Sequence, residues 1–150
     1  MNAKFVINKC IDLLEVEYTV EELLRCFNLI EKEMATDHFP LYKIHAANNK
    51  RVYYSELDCH PIRIVSCNCK FKVYKEYIES KDVIKEIVYS YAPDDKGLYD
   101  ECEYDSEFLN CYVYGILSEY LMTQRFFEES IRWTDKYRDE IKLLALEERV

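Results

Sequence analysis

Two short stretches hold the residue types best suited to chemistry, Asp58-Cys59-His60 and Cys67-Asn68-Cys69. Cys59, His60, Cys67 and Cys69 are all zinc-ligand types, and zinc takes four such ligands tetrahedrally. Their spacing lacks the two-residue Cys-x₂-Cys knuckle, however. On a strand, Cys67 and Cys69 share a face while Cys59 and His60 point apart. The cluster therefore reads as turn residues and half-buried thiols, with no metal. A thiol–imidazole nucleophile needs one defined pair, and three histidines with seven cysteines single out none. Gly97 and Gly115 are the only glycines, so a phosphate-cradling loop, a dinucleotide fingerprint and a Gly-x-Ser-x-Gly elbow are all absent. Acidic pairs such as Glu101/Glu103, Asp94/Asp95 and Glu128/Glu129 are expected by chance from 29 acids. The sequence is that of a protein without catalysis or cofactor.

Composition narrows the class. The 150 residues carry 20 Lys and Arg against 29 Asp and Glu, a formal charge of −9. Such a balance argues against tight nucleic-acid binding, which draws on Lys and Arg at phosphates, and against an anionic membrane surface. No apolar run approaches the length of a membrane span, and the N-terminal residues lack the apolar core of a signal peptide. Synthesis and retention in a cytosol follow as the expectation, with thiols reduced. An apolar fraction of 49% with 15% aromatics excludes intrinsic disorder. The length suits a single domain over 1–150.

Three regions differ in period. Over 3–36, Phe5, Val6, Cys10, Leu13 and Leu14 mark one helix, and Val20, Leu23, Leu24, Phe27, Ile30 and Met34 a second. Thr19 and Glu22 fit a reciprocal capping box at the start of the second. Over 41–92 the pattern shortens to β-branched and aromatic runs: Arg51 to Tyr54, Pro61 to Val65, Phe71 to Tyr74 with Tyr77 to Glu79 as an extension, and Ile84 to Tyr91. Asn48-Asn49, Asp58 to His60 and Ser66 to Cys69 read as turns. Over 105–148 the helical period returns, with a break at Thr123-Gln124-Arg125 and Asp105 or Ser106 as N-cap; two helices joined so tightly lie antiparallel. The fold class is α+β, mainly helical: an N-terminal helix pair and a C-terminal antiparallel helical hairpin, with a small antiparallel β-sheet inserted between them.

Fourteen tyrosines are the compositional outlier. Tyrosine pairs apolar area with a polar tip and is enriched at interfaces, so Tyr53, Tyr54, Tyr74, Tyr89 and Tyr91 are candidate contact residues; half-buried filler is the competing reading. Gly115, inside a helix, costs roughly 1 kcal/mol against Ala. Close approach of another backbone, most simply the following helix, would offset that cost.

The last third has a recognisable pattern. Tyr114-Gly115-Ile116-Leu117-Ser118-Glu119-Tyr120-Leu121 leads through Arg125-Phe126-Phe127-Glu128-Glu129-Ser130 to Trp133-Thr134-Asp135-Lys136-Tyr137-Arg138-Asp139-Glu140-Ile141. This resembles the C-terminal helical hairpin of head-to-tail adaptor (neck, or head-completion) proteins of tailed bacteriophages. There a "YG-x-x-SEY" helix meets an "RFEEA"-like turn and a "W-x-x-(K/R)-Y-(K/R)-x-A" helix. Ser130 stands where alanine is usual, and Ile141 where small residues are common. Ile87 to Pro93, Asp100-Glu101-Cys102 and the N-terminal helix pair with its Cys10-Ile11-Asp12-Leu13-Leu14 turn extend the resemblance over most of the chain. Gly115, Glu119, Tyr120, Trp133, Tyr137 and Arg138 are then the positions expected to pack and pair the hairpin, Glu119 with Arg138 across it.

The resemblance implies a structural virion component made in the bacterial cytoplasm and resident in the head–tail neck. Its copies would form a homo-oligomeric ring, a dodecamer on the portal's symmetry, bound to the portal protein on one side and to tail or stopper proteins on the other. DNA would pass through without specific binding, and an acidic lumen would not retain it. The alternative from another class is a small acidic binding module that inhibits a host factor, as a DNA mimic would. The scatter of acids over all three regions, many beside basic residues, speaks against that alternative.

Overall fold

Side-chain caps start the first two helices. The Asn2 side chain accepts from the Phe5 amide, opening α1 (Ala3–Leu13), and the Thr19 hydroxyl accepts from the Glu22 amide, opening α2 (Val20–Glu33). The Glu22 carboxylate does not complete the reciprocal box; it pairs with Arg25 at 3.2 Å, one turn on. A π-helical turn over Met34–His38 follows α2. The computed structural model describes residues 1–148; beyond these elements it contains strands β1 (Leu41–Tyr53), β2 (Pro61–Cys67), β3 (Lys72–Val73) and β4 (Tyr77–Tyr91), then α3 (Leu109–Thr123) and α4 (Phe127–Glu148). The α+β class, with its C-terminal helical hairpin, stands as the sequence indicates.

The chain divides into two compact units, one of residues 1–34 with 94–150 and one of residues 35–93. The inserted sheet is thus a unit of its own. Its axis is β4, which pairs antiparallel with β1 on one side and with β2 and β3 on the other. Two differences from the sequence reading stand out. β1 runs from Leu41, where a turn was expected at Asn48-Asn49, because register shifts between Ala46 and Arg51 absorb those residues without ending the strand. Tyr77 to Glu79 and Ile84 to Tyr91 are one strand rather than two. Val52, Leu57, Ile78, Ile84, Ile87, Tyr89 and Tyr91 form this unit's core.

In the helical unit α3 is the centre, packed by α1, α2 and α4. Its sequence accordingly is apolar nearly all round, with Cys111, Tyr112, Val113, Gly115, Ile116, Leu117, Tyr120 and Leu121 buried. The chain's first residues are held beside the 97–102 segment: Ala3 and Lys4 donate to the Asp100 and Leu98 carbonyls at 3.1 and 2.8 Å, and Cys102 donates to the Met1 carbonyl at 3.0 Å. Those carbonyls accept from amides at the start of α1 that have no partner within the helix.

The hairpin turn carries the one positive φ of a non-glycine residue among the described residues, Arg125 at 66°. The Arg125 amide donates to the Met122 carbonyl and the Phe126 amide to the Leu121 carbonyl, at 3.1 and 2.9 Å. This is the Schellman closure, whose left-handed position favours glycine. Replacing Arg125 by Gly is expected to raise stability by about 0.5–1 kcal/mol, read as a higher denaturation midpoint at unchanged m-value. An unchanged or lower midpoint would show that the turn is not strained.

Candidate functional site

The hairpin and the sheet carry the residues singled out from the sequence, and the structure treats the two groups differently. Gly115 lies where α2 and α4 converge on α3. A Cβ built there would stand 2.8 Å from Ile30 Cγ2 and 2.9 Å from Tyr137 Cε1. The approach that requires glycine is therefore made by two buried side chains, not by the backbone of the following helix. Tyr137 is buried, and Tyr120 is buried with its hydroxyl donating to the Glu17 carbonyl at 2.7 Å. The half-buried Trp133 ring lies 5.7 Å from Tyr114, with the Lys136 ammonium over it at 4.7 Å.

Glu119 and Arg138 form no ion pair with each other among the described residues. Arg138 is exposed and Glu119 is half-buried; the Glu22 hydrogen bond raises the pKa of Arg25 and burial raises that of Cys26, and the Glu119 charge adds a smaller upward push to each. Hydroxyl groups take the place expected for charges. The Ser130 hydroxyl donates to the Ser118 carbonyl at 2.8 Å, the Thr134 hydroxyl donates to the Ser130 carbonyl, and the Ser118 and Thr134 hydroxyls meet. Small hydroxyl residues let the two helices come close, where a Glu–Arg pair would hold them apart.

Of the five candidate tyrosines, Tyr89 and Tyr91 belong to the sheet core and offer no surface. Tyr89 accepts from the Cys59 amide at 3.3 Å, and the Lys43 ammonium lies over the Tyr91 ring. Tyr53, Tyr54 and Tyr74 cluster at the other end of β4. The Tyr54 hydroxyl donates to the Tyr74 carbonyl at 2.6 Å. The rings of Tyr53 and Tyr74 lie 5.4 and 4.9 Å from Tyr77, which itself sits beneath the Arg51 guanidinium. Tyr77, three residues after Tyr74 in the sequence, joins the candidate tyrosines through these ring contacts.

The Cys/His stretch is only partly assembled. Cys67 and Cys69 sulfurs lie 3.8 Å apart, and Cys69 Sγ lies 3.1 Å from Ser80 Oγ. Cys59 is on the Lys43 side of the sheet and His60 is exposed. Among the described residues no three His, Cys, Asp or Glu side chains converge on a point fit for a metal ion. All seven cysteines are free thiols.

A polar cluster that the sequence reading overlooked sits inside the helical unit. Glu31 is 1% exposed. One carboxylate oxygen accepts from the Tyr112 hydroxyl at 2.7 Å and the Glu103 amide at 3.1 Å. The other accepts from the Lys96 ammonium at 2.8 Å, and Lys96 also reaches Glu103 at 3.0 Å. Asn28 holds the Lys96 backbone from both sides, at 2.7 and 3.1 Å. The Tyr112 ring stacks on Phe27 with 5.2 Å between centroids. Burial followed by the Glu31 charge pushes the Tyr112 hydroxyl far up, and burial with the same charge pushes the Cys102 thiol up to about 12. Glu31 lies four residues after Phe27 on the apolar stripe of α2, and a charge there is the signal that was available.

The carboxylate of Glu31 joins partners from three parts of the chain, so the role of the cluster is to hold α2, α3 and the 96–103 segment together. Lys96→Met is expected to cost about 3–5 kcal/mol by stranding the buried Glu31 charge, measured by urea denaturation at neutral pH; a loss below 1 kcal/mol would show that Glu31 is not dependent on Lys96.

The thiols also set the alkaline limit. Burial raises Cys10 to about 12, Cys26 to about 11 and Cys111 to about 12. The unfolded chain releases these protons near the ordinary thiol value of 9.0, while the folded chain retains them. Stability is therefore complete below pH 9 and falls as pH rises towards 11–12, by about 1.4 kcal/mol per pH unit for each buried thiol. Cys10→Ala is expected to show a shallower loss of stability between pH 9 and 10.5 than wild type; parallel pH curves would mean that Cys10 does not contribute.

No helix among the described residues is long and apolar enough to cross a membrane. Set against known proteins, the chain matches no protein-family model and no curated protein.

Proposed function

We propose that this protein is a head-to-tail adaptor of a tailed phage or prophage: a ring-forming structural protein, without catalysis, that binds the portal and carries tail or stopper proteins while DNA passes through. The observation that carries the reading is the C-terminal hairpin. Most of the residues through which the sequence resembles adaptor proteins pack it: Gly115 beneath Ile30 and Tyr137, buried Tyr120, and Trp133 of α4 against Tyr114 of α3, while Glu119 and Arg138 do not pair with each other among the described residues. On this reading the protein is made in the bacterial cytoplasm and resides in the virion neck, with twelve copies where the portal is twelve-fold.

A second reading draws on charge. Residues 1–34 with 94–150 hold 11 Lys and Arg against 22 Asp and Glu, whereas residues 35–93 hold 9 against 7. The acids are thus less scattered than a first inspection of the sequence suggests, and a helical unit of this charge favours an inhibitor that competes with DNA for a host protein.

The deciding experiment mixes the purified chain with the intact portal ring encoded in the same genome and records native mass and particle shape together. Many copies stacked coaxially on one end of the portal are expected. Absence of binding, with both components folded and the portal ring intact, overturns the adaptor reading in favour of the inhibitor.

A further inference from the structure

β1 is an open edge. It pairs with β4 on one side, and among the described residues no other backbone group hydrogen-bonds to it. Exposed edges of this kind accept an additional strand. The side chains of β1 alternate over its first half: Tyr42, Ile44 and Ala46 are exposed on one face, with Lys43 and His45 on the other. Tyr42 is 58% and Ile44 69% exposed. Lys50 and Arg51 follow, and the strand contains no acid.

The segment joining α1 to α2 carries the complementary pattern. Leu14, Val16 and Tyr18 alternate with Glu15 and Glu17, flanked by Asp12, Glu21 and Glu22, and no Lys or Arg lies between Lys9 and Arg25. The segment belongs to no helix or strand. Leu14 (φ −78°, ψ 133°) and Thr19 (φ −121°, ψ 145°) are both extended, and the chain bends once, at Val16. Among the described residues, residues 15–18 make no backbone–backbone hydrogen bond, and the Glu17 carbonyl accepts from the Tyr120 hydroxyl. Glu15, Glu17 and Tyr18 are exposed.

Facing residues of paired strands share a side of the sheet. Laid along β1, Val16 and Tyr18 therefore fall beside Tyr42 and Ile44, while Glu15 and Glu17 fall beside Lys43 and His45. Apolar meets apolar on one side and acid meets base on the other, in a single register. We propose that residues 14–19 of one copy add as a strand to the β1 edge of a second copy. Donor and acceptor are different patches of the same chain, so the contact is head-to-tail and propagates until it closes into a ring. The inference deepens the adaptor reading, and takes from it the expectation of a ring, by naming the contact between neighbours.

The test uses the full chain in four forms: wild type, Glu15→Lys with Glu17→Lys, Lys43→Glu with His45→Glu, and all four changes together, each checked for folding by circular dichroism. Self-association is measured by analytical ultracentrifugation over a concentration series at low and high salt. Wild type is expected to associate, less so as salt screens the contact. Each charge reversal is expected to weaken association at least ~10-fold, and the combined variant to recover to within a few-fold of wild type. Wild type that stays monomeric at low salt, reversals that change nothing, or a folded combined variant that stays dissociated would each overturn the strand contact. The same proteins are then offered to the portal ring. Portal binding unaffected by the reversals leaves the adaptor reading standing without this contact. Wild-type self-association that fails to engage the portal removes the adaptor reading and leaves the contact.

Discussion

A carboxylate buried in the helical unit is the constraint around which that unit is arranged. A carboxylate at 1% exposure is costly unless its oxygens are occupied, and the partners of Glu31 come from far along the chain: Lys96, the Glu103 amide and Tyr112. Satisfying one charge on α2 thus fixes the returning segment after the sheet and the rotation of α3. Once α3 is set, Gly115 faces Ile30 and Tyr137 together, and α4 can come in only at the height where hydroxyl groups meet hydroxyl groups. A hydrophobic residue at position 31 would bury as well, but would select none of these partners.

Much of this architecture is legible from residue types. Helical period places α1, α2, α3 and α4 nearly where they are found, Thr19 caps α2 as expected, and Asp105 caps the short 3₁₀ turn over Ser106–Phe108 just before α3. The turn at Thr123-Gln124-Arg125 is equally local. What the period alone could not resolve is set by contacts distant in sequence. Asn48 and Asn49 have turn chemistry, yet pairing with β4 carries β1 through them as an irregularity. Tyr89 and Tyr91 resemble Tyr53 and Tyr74 in type, but the pairing of β4 on both sides places the first two in the core and leaves the others at the surface. For Glu119 and Arg138, opposite charge at matching heights is weaker than the close packing that Ser118, Ser130 and Thr134 allow. Glu31 was visible as a charge on an apolar stripe; its three partners were not, because each lies more than sixty residues away.

The contrast in charge between the two units has a physical reading whatever the partner. A chain with evenly mixed surfaces has no preferred way to meet its own copies, whereas one acidic and one mildly basic unit favour unlike contacts and disfavour like ones. Orientation is thereby selected before any apolar surface is covered.

The ends of the sheet unit bear on how the chain acquires its structure. Leu41 pairs with Tyr91, so the first residue of β1 and the last of β4 are neighbours once the sheet forms. Until then, helices α1 and α2 must find α3 across a long intervening chain. Sheet formation shortens the effective loop between α2 and α3 from ~75 residues to ~25, which lowers the entropic cost of closure by about 1 kcal/mol. The residues of the inserted sheet also precede those of α3 in the chain, so the order in which the ribosome delivers them coincides with the order that makes closure easiest. The interruption of the helical unit by the sheet becomes, kinetically, a clasp that brings its two halves together.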